Sequence, residues 1–295
     1  MFNKQMDKGI LTNIDMKQGK YRFLYSAIMI ILLLWCLGIC LYPILWIILS
    51  GFKDVEELYA IPSTFFPKNF QISKIAKVWN EMKFWKTYGN TFMLAGGAAV
   101  FNMVISGLAG YVISKVKPIG SKVVFTILFW IMLLPTTMST VLVYMTIMDF
   151  PILHFSMLDS FLPLWLMVVN AFDIILFKNF FDGISDSLVE AAKIDGASNI
   201  RIFWQIMVPL SIPVFCVVGI FTFNGNIGSF LMPLLTLTSA DKTVLAVQLY
   251  KMRSASYTMD YQMLAIIFSM IPQVVVFVIF QKQIMGGINV GGVKG

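Results

Sequence analysis

The chain has 295 residues, 58% of them hydrophobic and only 13% charged, with a formal net charge of +7. A soluble domain carries about 25% charged residues, which excludes an ordinary water-soluble fold. The basic excess, with no aromatic-basic interleaving and no groove-reading motif, points to anionic lipid rather than nucleic acid.

In chain order, segment 1–23 is a basic stretch with Lys4, Lys8, Lys17, Lys20 and Arg22. The run that follows is too long for a cleaved signal core of about 7–15 residues, and no small-residue cleavage motif follows it. It reads as a retained anchor. A membrane span needs about 20 mostly apolar residues. On that measure spans are expected at about 24–49, 91–114, 123–148, 161–180, 206–238 and 263–281. They make one all-α transmembrane domain, 24–283, with a tail at 284–295.

Six spans put both ends on one side. Lys115, Lys117 and Lys122 crowd the loop after the second run, while loop 149–160 has no Lys or Arg. Short cytoplasmic loops collect Lys and Arg, so both termini are expected in the cytoplasm. Loop 51–86 is discordant, because it carries Lys53, Lys68, Lys74, Lys77, Lys83 and Lys86 among four acids. Its Trp79 and Trp85 suit either an interfacial anchor or a packed outer cap.

The second run is rich in small residues, among them Gly96, Gly97, Ala98, Ala99, Ser106, Gly107 and Gly110. Small residues let helix backbones approach closely in lipid, and packing within the chain is the simpler expectation. Pro43, Pro135, Pro213 and Pro272 fall inside runs and invite kinks. Cys36, Cys40 and Cys216 fit no zinc or disulfide spacing and read as small apolar residues. His154 reads as solvated.

Between the fourth and fifth runs lies a polar stretch, 183–205. Ser187 with Glu190 three residues on has capping-box spacing, with Asp186 as the alternative cap. A short helix would then show Leu188, Ala191, Ala192 and Asp195 on one face. Gly196 is placed to end it with φ > 0, and Ser198 to cap the next helix. By spacing alone this is either an ordinary surface helix or a docking element for a soluble partner.

Glu190-Ala191-Ala192-Lys193-Ile194-Asp195-Gly196-Ala197-Ser198, with Ile206 and Pro209-Leu210, resembles the EAA loop of bacterial binding-protein-dependent ABC importer permeases. Ser50-Gly51-Phe52-Lys53 with Glu57, Asn90-Thr91, Ala109-Gly110-Tyr111, and Phe280-Gln281 through to Gly292-Val293-Lys294-Gly295 resemble further motifs of its carbohydrate-uptake branch. The similarity extends to the smaller permease of the maltose-type importer. It implies a six-span permease in the bacterial cell membrane whose loop is a coupling helix seated in an ATPase. Glu190, Ala191, Ala192, Asp195 and Gly196 would form that contact, with Glu190 pairing to a basic ATPase residue. The implied partners are a second permease, a pair of cytoplasmic ATP-binding subunits and an extracytoplasmic solute-binding protein. No G-x-x-x-x-G-K-[ST] motif is present, so ATP and Mg are expected on those partners, with no cofactor or metal on this chain and no catalysis by it alone.

The sequence departs from the family where a Trp-Asn-acid motif is usual. Here it has Phe223-Asn224-Gly225-Asn226-Ile227-Gly228-Ser229. Local unwinding at Gly225 and Gly228 would let Asn224, Asn226 and Ser229 bind sugar hydroxyls. The alternative is polar glue between helices. Asp173 is a mid-span acid, costing about 2.5–3.5 kcal/mol on insertion scales. It is expected to face the interior and to pair with Lys178 or with a partner subunit. A non-sugar solute, a proton-coupled carrier using Asp173, and a membrane enzyme are the competing readings. The last two would want more intramembrane acids or clustered His and Cys than the chain offers. Span interiors without Lys or Arg favour a neutral sugar.

Overall fold

A computed structural model describes residues 19–151, 153–255 and 257–287. Most of the basic segment 1–23 and of the tail 284–295 therefore lies outside the described residues. Among the described residues all regular structure is helical. The described residues form two contact units, one of 19–72 with 259–264, the other of 73–258 with 265–287.

In the first unit, α1 (Gly19–Gly51) is one long helix containing Pro43. Its Phe23–Gly51 stretch has a mean hydropathy of 2.7, and its most apolar window is wholly unburied, burial being reached only at Ser50 and Gly51. After α2 (Val55–Tyr59) the chain folds back on a buried cation. Lys53, 1% exposed, donates through Nζ to the Thr64 carbonyl and lies 4.7 Å over the Trp46 ring. The Glu57 carboxylate accepts from Thr64 Oγ1 at 2.6 Å and from the Lys68 amide at 3.0 Å. A charge so enclosed needs such partners, and here they turn segment 52–68 into ordered structure.

In the second unit, α3 (Ser73–Glu81) leads into α4 (Phe84–Tyr111), which runs on through a π turn at Val112–Val116. Leu94, Ala95, Ala98, Asn102, Ser106 and Gly110 of α4 are buried. A Cβ at Gly110 would lie 2.7 Å from Phe177 Cβ and 2.9 Å from the Lys178 backbone nitrogen. At Gly107 it would meet Phe215, and at Gly97 the Trp165 ring. Small residues thus set the helix separations, as expected for packing within the chain. Trp79 packs against Phe84 and Phe268, whereas Trp85 is exposed.

The third apolar run divides into α5 (Ser121–Met132) and α6 (Thr140–Met148) around Pro135, which cannot donate to a helix. The fourth divides into α7 (Leu162–Leu166) and α8 (Ala171–Asp182). The fifth divides most sharply. Short α10 (Asn199–Ile202), a π turn and α11 (Val208–Leu210) form one arm, and α12 (Ile212–Ile227) leaves it at 84°. Pro213 opens α12, where its missing N–H costs nothing. α13 (Leu231–Thr236), α14 (Leu245–Ser254) and α15 (Met259–Gly287) complete the described chain. Among the described residues three helices are each long and apolar enough to cross a membrane, or four counting the bent pair as one span.

Candidate functional site: a clamped surface helix and a polar groove

The polar stretch folds as a helix, a glycine turn and a second helix. α9 (Asp186–Ile194) is capped by Ser185, whose Oγ accepts from the Ser187 amide at 3.3 Å. The cap expected at Ser187 or Asp186 is therefore displaced upstream, and the Asp186 carboxylate faces two lysines instead. The helix ends at Gly196, φ +80°. The Ala197 amide reaches the Ala192 carbonyl at 2.9 Å, and the Gly196 amide reaches Lys193 at 3.0 Å. This is the Schellman pattern that a positive-φ glycine permits. Ser198 caps the next helix, accepting from the Arg201 amide at 3.3 Å.

The buried face of α9 is Val189 and Ala192, packed in one core with Ile202, Phe203 and Phe181. Leu188, Glu190, Ala191, Ile194 and Asp195 face outward. The expected common face thus loses Ala192, which is an anchor to the core and not part of the presented surface. Its neighbour Ala191 stays outside, beside Glu190.

Charges fasten this helix to the end of α4. Lys115, in the π turn, is nearly buried at its side chain and bonded to Asp186, and its Nζ also donates to the Ile184 carbonyl at 2.5 Å. Lys117 lies 3.5 Å from the other Asp186 oxygen. The Lys115 hydrogen bond, then the charges of Lys115 and Lys117, hold the Asp186 carboxyl below the usual carboxylate range. Ser114 Oγ donates to Asp182 at 2.6 Å, and Lys178 pairs with Asp182 at 2.6 Å. The expected Asp173–Lys178 pair is not formed. Four residues separate Lys178 from Asp182, a spacing that shares a helix face; five separate it from Asp173.

Asp173 instead belongs to a buried polar cluster joining α4, α8 and α12. Its Oδ2 accepts from Asn102 Nδ2 at 2.6 Å and from Asn170 Nδ2 at 2.7 Å. Asn102 also donates to Thr222 Oγ1 at 2.7 Å and accepts from Ser106 Oγ at 2.7 Å. Asn170 caps α8 through the Asp173 amide. The cluster borders a groove of about 1460 Å³ whose walls include Asn170, Asp173, Asn179, Thr222 and Asn226 beside Phe172, Phe180 and Phe221. Asn224 and Ser229 do not line it.

The unwinding expected at Gly225 is absent. α12 stays helical to Ile227, and Asn226 Nδ2 donates to the Thr222 carbonyl at 2.8 Å. The break falls at Gly228, the second of the two glycines named for it. Asn102 and Asn170 were missed in the sequence. A lone Asn inside an apolar run, and an Asn three residues before a mid-span Asp, were the available signals.

At the far end of α4, Asn90 Nδ2 donates to the carbonyls of Asp241 at 2.7 Å and Thr243 at 3.0 Å, and Thr91 Oγ1 accepts from the Leu245 amide at 2.9 Å. That pair ties α4 to the start of α14. His154 is exposed and lies 3.3 Å from Asp149.

A multi-pass helical membrane protein, carrying a surface helix-turn-helix clamped to its central helix, is the class these features define. The family described as "Binding-protein-dependent transport system inner membrane component" matches residues 102–288, and the chain belongs to it. The chain is 26% identical to the diacetylchitobiose uptake system permease protein NgcG of Streptomyces coelicolor, over 88% of this chain and 86% of that one. It is 28% identical to the sn-glycerol-3-phosphate transport system permease protein UgpE of Escherichia coli K12, over 85% and 92%. It is also 28% identical to the polygalacturonan/rhamnogalacturonan transport system permease protein YtcP of Bacillus subtilis, over 87% and 93%. The fold matches a chain of a bacterial ABC transporter involved in import of the acidic polysaccharide alginate, with TM-score 0.75 and 24% identity over 93% of this chain and 99% of that one. A second alginate transporter structure, in complex with an alginate pentasaccharide-bound periplasmic protein, matches at TM-score 0.61 and 19% identity, over 91% and 95%.

Proposed function

We propose that this chain is the transmembrane permease subunit of an ATP-driven importer of saccharides, forming half of the translocation pathway. The observation that carries the reading is α9: a capped helix fastened by buried charge to the central helix, yet offering Glu190 and Ala191 outward, in a chain of this family. Glu190, Ala191, Asp195 and Gly196 form the coupling surface, Ala192 anchors it from behind, and Glu190 pairs with a basic residue of a cytoplasmic ATPase. The chain crosses the membrane six times, counting broken runs as spans, with both termini in the cytoplasm. It binds no cofactor; ATP and Mg are held by a pair of partner subunits.

A second permease closes the pathway, and an extracytoplasmic solute-binding protein delivers the cargo. Asp173 and Asn226 are the pathway residues the groove favours; Asn224 and Ser229 are placed less well for it. Saccharide cargo rests on two relatives named for it. The relative named for sn-glycerol-3-phosphate supports the alternative of a non-sugar solute.

The test is co-expression with a candidate second permease and ATPase, followed by ATPase assay in proteoliposomes with binding protein. Glu190→Ala is expected to reduce the stimulated rate by about tenfold or more, the size of effect a truncated interfacial charge pair produces. A chain that purifies alone and moves solute without any ATPase overturns the proposal and leaves a proton-coupled carrier using Asp173.

A further inference from the structure

Asp173 has one oxygen in use and one to spare. Both amide donors that reach it address Oδ2, and no hydrogen bond among the described residues reaches Oδ1. The residue is 9% exposed, yet it lines the groove. It lies in the first turn of α8, where a helix dipole favours negative charge. Burial in a polar cluster fixes it in place, so the carboxylate cannot swing away from what enters.

Among the described residues, the rest of the groove wall carries no other charged side chain. On an otherwise aliphatic wall, Asp173 is accompanied by amides (Asn170, Asn179, Asn226), hydroxyls (Ser185, Thr222) and three phenyl rings. Amides and hydroxyls exchange hydrogen bonds with hydroxyl groups, and rings cover the apolar faces of cyclic polyols. A fixed anion in a low-dielectric cleft adds a field that concentrates cations and repels anions.

Resting on the importer reading above, we propose that Asp173 is a specificity-determining residue. Its standing negative charge makes this half of the pathway pass uncharged polyhydroxylated solutes and resist anionic ones such as uronates and phosphate esters. Oδ1 accepts a hydroxyl of the passing solute, and Asn102 and Asn170 are positioning residues that hold it for that contact.

The groove's charge can be read without knowing the cargo. Gly225 lines the groove, and a Cβ there meets nothing within 4 Å, so Gly225→Cys is a reporter with room to stand. Cys36, Cys40 and Cys216, all exposed, are first replaced by Ser. The reconstituted importer is then treated with cationic and anionic methanethiosulfonate reagents (ethylammonium and ethylsulfonate), and each rate is divided by that with a free thiol. The cationic reagent is expected to win by about tenfold or more, the lower end of focusing in a one-sign cleft. Asp173→Asn is expected to bring the ratio close to one.

If that variant does not assemble, the ratio is followed with Asp173 intact from about 0.01 M to about 1 M salt, where the screening length falls from about 30 Å to about 3 Å. The preference is expected to shrink. A ratio near one with Asp173 present, or a preference indifferent to both the variant and salt, overturns the proposal. So does a reporter that neither reagent reaches, or a cargo identified as a uronate or phosphate ester. ATPase stimulation by binding protein in the same vesicles separates the two readings. Its absence sinks the importer and leaves the groove charge standing; its presence beside a ratio of one sinks only the charge barrier.

Discussion

Of the three membrane-length helices among the described residues, the most apolar is the least buried, and the central helix is the least apolar. The Phe23–Gly51 stretch of α1 has a mean hydropathy of 2.7 and buries none of its most apolar window, whereas Phe84–Val116 has 1.8 and buries 39%. In water the order would be reversed. Lipid is as apolar as leucine, so large aliphatic side chains gain little by leaving it, and close backbone approach and hydrogen bonds select what goes inside. Between Ala95 and Gly110 the buried positions of α4 are accordingly Ala, Asn, Ser and Gly, and the surface of α1 is mostly Leu and Ile.

The substitution expected to strain this contrast most is Gly110→Leu. Its first carbon already falls 2.7 Å from Phe177 Cβ and 2.9 Å from backbone of Lys178, and backbone cannot step aside. Overpacking costs about 1–3 kcal/mol or more. Here the expected result is loss of the monodisperse peak in size-exclusion chromatography. Normal behaviour of that variant would show that α4 and α8 are not held together by small residues.

Next comes Lys115→Met, which leaves Asp186 and the Ile184 carbonyl without their shared donor. Hydrogen bonds to charged groups contribute about 1.5–3 kcal/mol. Amide exchange in α9 is therefore expected to speed up by about tenfold or more, with Lys115→Arg retaining most of the protection. Asn102→Leu is expected to cost about 1–2 kcal/mol, the range for polar contacts between membrane helices, read as a lower thermal midpoint.

The attachment of α9 also has an acid limb. The Asp186 carboxyl is held below its ordinary value, so its contribution is complete above the unfolded carboxylate pKa, about 3.9. It is lost as pH falls through the lowered folded value. Exchange protection of α9 should stay level down to that region and fall below it, and Asp186→Asn should remove the acid limb. The smallest effect belongs to Leu33→Ala on the exposed face of α1, within about 0.5 kcal/mol. A large loss there would mean that α1 has a partner for which its composition gives no sign.

The sequence disclosed the helical membrane class, the small-residue face of α4, the Gly196 turn and the Ser198 cap, because each is a local property of spacing. It did not disclose where the apolar runs break. A proline signals a break without locating the chain's new direction, and nothing local at Pro213 announces the 84° elbow at the buried Ser211. Nor did it foresee that Ala192 turns inward while Ala191 stays out. Two adjacent alanines differ only by about 100° around the helix, and the side that is buried depends on how the flanking Phe181 and Phe203 fold back against α9. The pairing of Lys178 with Asp182 was open to a spacing argument, but the partners of Asp173 come from α4 and the preceding turn, which hydropathy does not rank.

The 84° elbow at Ser211 makes the fifth run a bell crank. Its short arm, from Asn199 to Leu210, is about 18 Å long, and its long arm, α12, about 24 Å, at 1.5 Å per residue. If the elbow stays rigid, a displacement applied crosswise at the tip of the first arm reappears at the tip of the second enlarged by about a third and turned through nearly a right angle. A crosswise push on the first arm would then become a swing of the helix that carries Thr222 and Asn226 past the groove.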